Sequence, residues 1–384
     1  MSAARPAEEF SLLGGPLHRL ACHLGLVRHA TNTSRVGVVL GVLAWLIGVL
    51  LAAVEGSLPR LFSVDVIGAH VRLLVAIPLF FACESALDPQ LGRFGRYCLR
   101  SGLLTGGDVA RFEAQLARTT RWKDGWLPEA LCLMAAVLMA ITAPEIPWGG
   151  VTSGLDPKGA MSLVGWWYWI VCLTMFRFLL FRWIWRIALW CHLLWRLSRL
   201  DLRLMPAHAD FAGGLGILET VQTQFLPLIL ALSAVVSASF AEDIASGKAP
   251  FEAIYLTFTA MLLGAELLFV VPLAVFAPRL WACKQQGLSD YMALAARYAS
   301  DFDRKWIDRD AATGEPLLGS GDIQSLADLS TSVRIVRDMR VIPVTRRLLI
   351  GIAVATALPM LPLLTLKYPV TTMIEQVVNR LIGL

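Results

Sequence analysis

Seven long apolar blocks constrain the fold of this chain more than any other feature of its sequence. A helix needs roughly 20 apolar residues to cross a bilayer, and each block is long enough to do so. Hydrophobic residues make up 57% of the chain, whereas soluble domains contain about 45–50%. We therefore predict an all-α polytopic membrane bundle with seven transmembrane helices. The predicted spans are 36–54, 68–87, 126–143, 163–190, 217–240, 253–277 and 347–366.

The basic residues are divided unevenly between the two sides of these spans. If the N-terminus is inside, the cytoplasmic segments carry 25 of the 34 Lys and Arg residues and the opposite side carries six. The positive-inside rule then predicts that the N-terminus is in and the C-terminus is out. The formal net charge of +5 reflects this topology and does not indicate nucleic-acid binding. The predicted cytoplasmic segments are 1–35, 88–125, 196–216 and 278–347.

Residues 1–35 are predicted to form a cytoplasmic amphipathic segment. They lack the apolar core and cleavage site of a secretory signal, so we expect the first span to be an uncleaved anchor. Leucines recur among basic residues at alternating steps of four and three, which indicates a helix on the inner leaflet. A helix packed under the bundle explains the pattern equally well. The apolar positions are Leu13, Leu17, Leu20, Leu24 and Val27.

The remaining chain is interpreted as a membrane domain, 36–366, followed by a short outer tail, 367–384. Helical insertions are predicted on the cytoplasmic side, and no internal repeat of the kind common in secondary transporters is present. In the first insertion, Asp108 follows a Gly-Gly turn and is predicted to cap a helix. The last insertion is predicted to contain two helices, about 281–306 and 322–340. The insertions are 88–125, 196–216 and 278–346.

The fourth span carries three arginines in an otherwise aromatic and apolar helix. Tryptophans at its outer end fit an interfacial aromatic belt. Arg177 lies roughly 12–15 Å deeper, near the bilayer centre, at 1.5 Å per residue. Arg182 and Arg186 lie toward the inner face, on the opposite side of the helix. An arginine facing lipid costs at least a few kcal/mol, so we expect protein or a wet cavity around this helix.

Carboxylates at matching depths are the expected partners of these arginines. Glu266, in the sixth span, is expected to pair with Arg177, and Glu84 is expected beside Arg182 and Arg186. These groups either line an ion or proton pathway or form buried ion pairs that fix the helix register. The sequence leaves both interpretations open. Two further carboxylates are expected at the depth of the inner group, Glu129 and Glu219.

The connection between spans four and five, RLMPAHADFAGGLGILE at 203–219, concentrates unusual residues. Pro206 is predicted to end the preceding helix, and Asp210 is predicted to cap the next one. Gly213 and Gly214 allow backbone N–H groups to approach a ligand, and a helix N-terminus favours an anion. The arginines nearby in sequence are Arg196, Arg199 and Arg203.

Three hypotheses describe this connection. It is a cytoplasmic ligand or gate site for a phosphate or carboxylate, a metal or proton site, or a tight turn between helices. His208 and Asp210 are too few ligands to define a metal site, and we predict no metal and no cofactor. The stretch matches neither the dinucleotide nor the phosphate-loop fingerprint.

The pattern PAHADFAGGLG, preceded by the arginine- and tryptophan-rich FRWIWR, resembles a family of polytopic bacterial inner-membrane proteins of uncharacterised function. The resemblance extends to the cytoplasmic stretch EPLLGSGDIQSLADLSTSVRIVRDMRVIP. Ala209 stands where the family pattern has proline. The resemblance implies a bacterial inner membrane, which the excess of Arg over Lys also favours, and it implies no particular activity.

These features favour a channel or transporter for ions or small charged solutes, with a gate or anion site at the cytoplasmic face. Such a protein forms its path within one bundle or as a homo-oligomer. A membrane enzyme acting on a lipid or phosphorylated substrate is the second hypothesis, although HExxH and GxSxG motifs are missing. A signalling or scaffold protein is the third. Membrane lipids are expected partners.

Overall fold

The computed structural model describes residues 10–15, 33–142, 162–308 and 320–366. This part of the chain consists of helices and loops, with an antiparallel bridge between Leu104 and Leu202. In chain order the principal helices are α1 (Thr33–Val54), α2 (Val64–Arg100), α3 (Gly106–Asp124), α4 (Trp126–Thr142), α5 (Leu163–Leu197), α6 (Gly216–Ala245), α7 (Ala253–Ala274), α8 (Ala277–Trp306), α9 (Gly321–Arg337) and α10 (Arg346–Leu363).

The long apolar helices coincide with the predicted spans. Within the described residues, six helices are long and apolar enough to cross a membrane, and the α3–α4 pair, bent by 44°, raises the number to seven. The predicted all-α polytopic bundle is therefore confirmed. Helices α2 and α5 continue beyond their predicted inner ends because their extensions remain packed. Phe94 and Trp190, both buried, meet edge to face at 5.5 Å.

The helix ends gather at two opposite faces of the bundle. At one face, the backbone N–H of Arg203 donates to the carbonyl of Leu103, joining the loops after α5 and α2. At the other, the indole of Trp45 donates to His70, and the hydroxyl of Ser237 donates to the carbonyl of Pro359. The loops at the first face carry most of the basic residues. This arrangement agrees with successive spans that cross the membrane in alternating directions.

Two predicted helix boundaries at the inner face are wrong. Helix α5 ends at Leu197 and not at Pro206, because the following N–H groups of Arg199 and Leu200 turn back to carbonyls three residues earlier. Pro206 packs instead against Gly287 of α8, where a Cβ atom would lie 2.4 Å from Pro206 Cβ. Asp108 does not cap α3. It is buried and accepts a hydrogen bond from the backbone N–H of Asp201 at 2.7 Å.

The two helices predicted after the sixth span are present and pack against each other. Helix α8 begins at Ala277, after a break at 275–276, with Pro278 in a first turn that tolerates proline. Helix α9 ends at Arg337, three residues before the predicted end. The predicted amphipathic helix beyond residue 15 and the outer tail at 367–384 lie outside the described residues.

Candidate functional site

An inner charge cluster joins three helices: Glu84 of α2, Glu129 of α4, and Arg182 and Arg186 of α5. Nη1 of Arg186 donates to Oε1 of Glu84. Nε of Arg182 lies 3.5 Å from Oε1 of Glu129, and its Nη1 lies 4.0 Å from Oε1 of Glu84. These side chains are only 4–11% exposed. The structure thus brings together Glu84, Arg182 and Arg186 as the depth argument predicted, with Glu129 beside them.

An N-terminal strap, residues 10–15, covers the inner charge cluster. Phe10 and Leu12 are buried in the main core, at 2% and 1% exposure. The carbonyl of Gly14 accepts a hydrogen bond from Nη2 of Arg182 at 2.9 Å, and the carbonyl of Leu13 accepts one from Lys123 at 2.6 Å. The sequence predicted a helix from Leu13 onward, either on the inner leaflet or packed under the bundle, and did not identify Phe10 and Leu12 as core residues.

Glu219 does not join the inner charge cluster, contrary to the depth argument. Its Oε2 lies 3.1 Å from Nη1 of Arg340, and its Oε1 accepts a hydrogen bond from the hydroxyl of Thr345. Both partners come from the segment between α9 and α10, which is 120 residues further along the chain. The sequence does not reveal an approach over this separation.

Arg177 is buried without a partner. It is 2% exposed, and its Nε, Nη1 and Nη2 atoms are all buried with no hydrogen-bond acceptor. The expected pair with Glu266 is wrong, because none of the three guanidinium nitrogens of Arg177 has a hydrogen-bond partner in the described part of the chain. The charged side chain that acts on Arg177 is instead a second arginine, Arg72 of α2. The position of Glu266 along α7 gives its depth in the membrane but not the direction in which its side chain points.

Arg72, Tyr168, Arg177 and Ser239 form what we call the outer arginine site. Nη1 of Arg72 donates to the hydroxyl of Tyr168 at 2.7 Å, and Nη2 donates to the hydroxyl of Ser239 at 2.9 Å. Nε of Arg72 is buried and has no acceptor. The site is therefore rich in donors and carries two positive charges. The carboxylate of Glu242 interacts electrostatically with Arg72 and accepts a hydrogen bond from the N–H of Gly68 at 2.7 Å.

The helices are irregular where they meet at the outer arginine site. Arg72 begins a π-helical turn, Arg72–Ala76, in α2, and Tyr168 begins another, Tyr168–Leu173, in α5. Single π turns within α-helices are frequently found at functional sites. The sequence analysis counted Arg72 only as an outer-side basic residue. The signal that would have identified it is its position inside the predicted second span.

The loop between α5 and α6 is organised around Asp210. Its Oδ1 accepts from the backbone N–H groups of Ala212 and Gly214, at 2.8 and 3.2 Å, and its Oδ2 accepts from Gly216 at 2.8 Å. Gly213 and Gly214 adopt φ of +64° and +96°, which glycine accommodates without steric cost. The N-cap of α6 is Leu215, but Asp210 accepts from the N–H of Gly216, the first residue of the helix, and so stabilises the helix start at which a cap was predicted. The protein's own carboxylate occupies the position that an external anion would take.

Hydrogen bonding controls the ionisation of Asp210. Burial raises the pKa of this carboxyl, but the three backbone N–H groups and His208 outweigh burial and lower the pKa below its usual value. Nδ1 of His208 lies 2.8 Å from Oδ1 of Asp210. Arg340 braces the same loop, because its Nη2 donates to the carbonyl of Asp210 at 2.7 Å and its backbone N–H donates to the carbonyl of Phe211 at 2.7 Å.

Two arginines predicted for this loop site are elsewhere. Arg199 stacks over the ring of Trp195, with 5.1 Å between its Cζ atom and the ring centroid. Arg203 has an exposed side chain, and its backbone joins the loop before α3. The arginine that contacts Asp210 is Arg340, which lies 130 residues away in sequence.

A cavity of about 450 Å³ opens beside this loop. Its lining includes two carboxylates and one guanidinium, so the charged groups do not favour an anion. Among the described residues, no three His, Cys, Asp or Glu side chains are grouped to hold a metal ion. The lining residues are Asp210, Gly216, Glu219, Thr220, Thr223, Gln224 and Arg340.

Comparisons with protein-family models, curated proteins and solved structures give no match to the chain. The geometry of the buried charges is therefore the basis for a functional argument.

Proposed function

We propose that this multi-pass membrane protein is a channel or transporter for small ions, with small anions as its preferred solutes. The observation that carries the proposal is Arg177, a buried guanidinium with three unpartnered nitrogens in the central part of a membrane-spanning helix. A buried charge without a partner is strongly unfavourable. An anion that visits the outer arginine site would offset this cost and be stabilised by the same donors.

The charged groups along α5 form two layers. Arg177 belongs to the outer arginine site, and Arg186 belongs to the inner charge cluster, nine residues or roughly 14 Å further along the helix. Arg186 also retains one buried nitrogen, Nη2, without an acceptor. Two sites of moderate strength suit permeation better than one tight site, because an ion must leave as well as enter.

The gate of this pathway is proposed to lie at the inner face. There, the N-terminal strap contacts Arg182 through the carbonyl of Gly14. The Asp210 loop and the 450 Å³ cavity beside it lie at the same face and are proposed to respond to a ligand. Neither the strap nor the loop blocks the outer arginine site, so binding there and gating are separable.

Ion flux through purified protein in liposomes tests the proposal. Chloride, potassium and proton gradients are applied in turn to the wild type, to Arg177→Met and to the double variant His208→Ala/Asp210→Ala. We expect chloride flux in the wild type, its loss in Arg177→Met, and an altered rate in the loop variant. Thermal stability of Arg177→Met should be equal to or above that of the wild type, because the substitution removes an unpaired buried charge.

Two outcomes would overturn the proposal. One is the absence of flux for every ion from folded wild-type protein, including protein with the strap released by the substitutions described below. The other is unchanged chloride flux in Arg177→Met. The first result would shift the assignment toward a membrane enzyme or a scaffold, for which the cavity beside Asp210 is the next place to search for a bound molecule. The second would remove Arg177 and the outer arginine site from the ion pathway.

A further inference from the structure

A patch of arginines and aromatic rings lies on the surface shared by α3 and α5, apart from both charge layers. The Cζ atom of Arg118 lies 5.0 Å from the ring centroid of Trp122. The ring centroid of His192 lies 5.4 Å from that of Trp122 and 5.9 Å from that of Trp195. The Cζ atoms of Arg196 and Arg199 lie 5.2 and 5.1 Å from the ring centroid of Trp195. We call this set the Arg–Trp patch. Its members are Arg118, Trp122, His192, Trp195, Arg196 and Arg199.

The patch lies at the depth of a membrane interface. Trp122 lies four residues before Trp126, where the apolar helix α4 begins. Trp195 lies two residues before the end of α5. Both indole rings are exposed, at 40% and 41%. Tryptophan is enriched at this depth, because its ring is apolar and its N–H is polar. The patch faces the side of the membrane to which the basic loops belong.

The positive charges of the patch have no carboxylate partner among the described residues. Arg118, Arg196 and Arg199 are each held over an indole ring and not in an ion pair. Stacking fixes the plane of a guanidinium and leaves its edge free to bind a phosphate in a bidentate manner. The patch therefore offers several oriented groups to one anionic oxygen-bearing ligand.

We infer that the Arg–Trp patch binds the phosphate headgroup of an anionic phospholipid. The exposed indole rings would contact the glycerol and upper acyl region, and the stacked arginines would contact the phosphate. A soluble phosphate would bind the arginines but would make no contact with the two indole rings. The inference does not depend on ion flux, because the patch lies apart from the inner charge cluster and the outer arginine site.

Native mass spectrometry of the purified full-length protein tests the inference. The protein is mixed with equal amounts of phosphatidylglycerol and phosphatidylcholine, and the bound lipids are counted. We expect preferential phosphatidylglycerol binding that falls roughly tenfold or more in Arg196→Gln/Arg199→Gln, since each basic residue near an anionic membrane surface changes the affinity about fivefold. Arg118→Gln, which changes an exposed residue of α3, should reduce binding even if the double variant folds poorly.

The matched control is Arg334→Gln/Arg337→Gln, which removes two exposed arginines from α9. This variant should retain wild-type lipid preference. Equal binding of both lipids, an equal loss in the control, or displacement of phosphatidylglycerol by inorganic phosphate would each overturn the inference. The last result would assign the patch to a soluble phosphate compound.

Discussion

Buried guanidinium groups in this bundle differ according to what faces them. Arg186 donates to Glu84, so its charge is compensated within the protein. Arg177 has no acceptor and faces the like charge of Arg72. Removing a carboxylate from a buried pair leaves an uncompensated charge, whereas removing an unpaired arginine relieves one. Substitutions at the two layers are therefore expected to change stability in opposite directions.

Glu84→Gln should destabilise the protein strongly. The substitution leaves Arg186 and Arg182 with a neutral amide, and loss of one partner of a buried pair costs about 3–5 kcal/mol. Adding Arg186→Met to Glu84→Gln should recover part of this loss. The free energy of unfolding in detergent micelles measures both effects. Glu266→Gln is the matched control and should cause no such loss, because no charged partner acts on Glu266 in the described part of the chain.

Asp210→Asn should remove a pH-dependent contribution to stability. The pKa of Asp210 is lowered in the folded state, so its contribution is complete above the unfolded carboxyl pKa of about 3.9. It is lost as the pH falls through the lower folded pKa. At neutral pH the variant should be about 1–3 kcal/mol less stable, the cost of weakened buried hydrogen bonds. The stability difference from the wild type should shrink below about pH 4; a constant difference down to pH 2 would contradict the assignment.

Among the elements, the N-terminal strap departs most from what its sequence indicates. Its glycines and leucines are typical of a surface segment, but Phe10 and Leu12 are buried in the core. The hydroxyl of Ser11 donates to Asp88 of α2, so polar contacts also hold the strap. Backbone groups of Leu13, Gly14 and Gly15 make further hydrogen bonds to the bundle. The two buried apolar side chains are expected to contribute most of the free energy of attachment.

Phe10→Ala/Leu12→Ala should release the strap from the inner charge cluster. Large-to-small changes at buried positions cost about 2–5 kcal/mol each, which exceeds what the remaining strap contacts supply. In a background carrying Ser11→Cys, a maleimide should label the released strap faster than the wild-type strap. Leu13→Ala, at a half-buried position, is the matched control and should label slowly. On the proposed function, release should also raise anion flux; unchanged labelling would show that the strap is held by other contacts.

At the scale of the whole molecule, two sets of loops lie at opposite ends of one bundle. Pairings such as Leu104 with Leu202 join loops predicted to be cytoplasmic. The hydrogen bond from Gly68 to Glu242 joins the outer end of the second predicted span to the loop predicted to be outside after the fifth. Helix α7 is the single span between the loop at 246–252 and helix α8. Finding which side of the membrane the loop at 246–252 and helix α8 each occupy therefore tests two predictions. One is the orientation of the bundle, and the other is that α7 crosses the membrane.

Cysteine labelling in intact cells should place these segments on opposite sides of the membrane. Ser246→Cys, at an exposed outer position, should react with an impermeant maleimide, whereas Ser300→Cys, exposed on α8, should react only after permeabilisation. The expectation follows from the positive-inside rule. The reverse pattern would invert the orientation, and reaction of both from outside would remove α7 from the set of spans.

The sequence by itself determined the architecture and one layer of the site. Hydrophobic length identified the spans, since a bilayer core of about 30 Å requires a helix of fixed length. Depth along the spans predicted that Glu84, Arg182 and Arg186 lie together, because two helices that cross one membrane share a common depth scale. Asp210 was also assigned correctly to the start of α6, because capping is local in the chain.

The tertiary structure decided which side chains face one another. Helix packing left Arg177 without the predicted carboxylate of Glu266, and the charged side chain that acts on Arg177 is Arg72. Long-range packing delivered Arg340 to Glu219 and the N-terminal strap to Arg182. The sequence shows height and local capping, because these depend on hydrophobic length and neighbouring residues. It does not show which way a side chain points from its helix or which residues distant in sequence make contact, because both depend on how all the helices pack together.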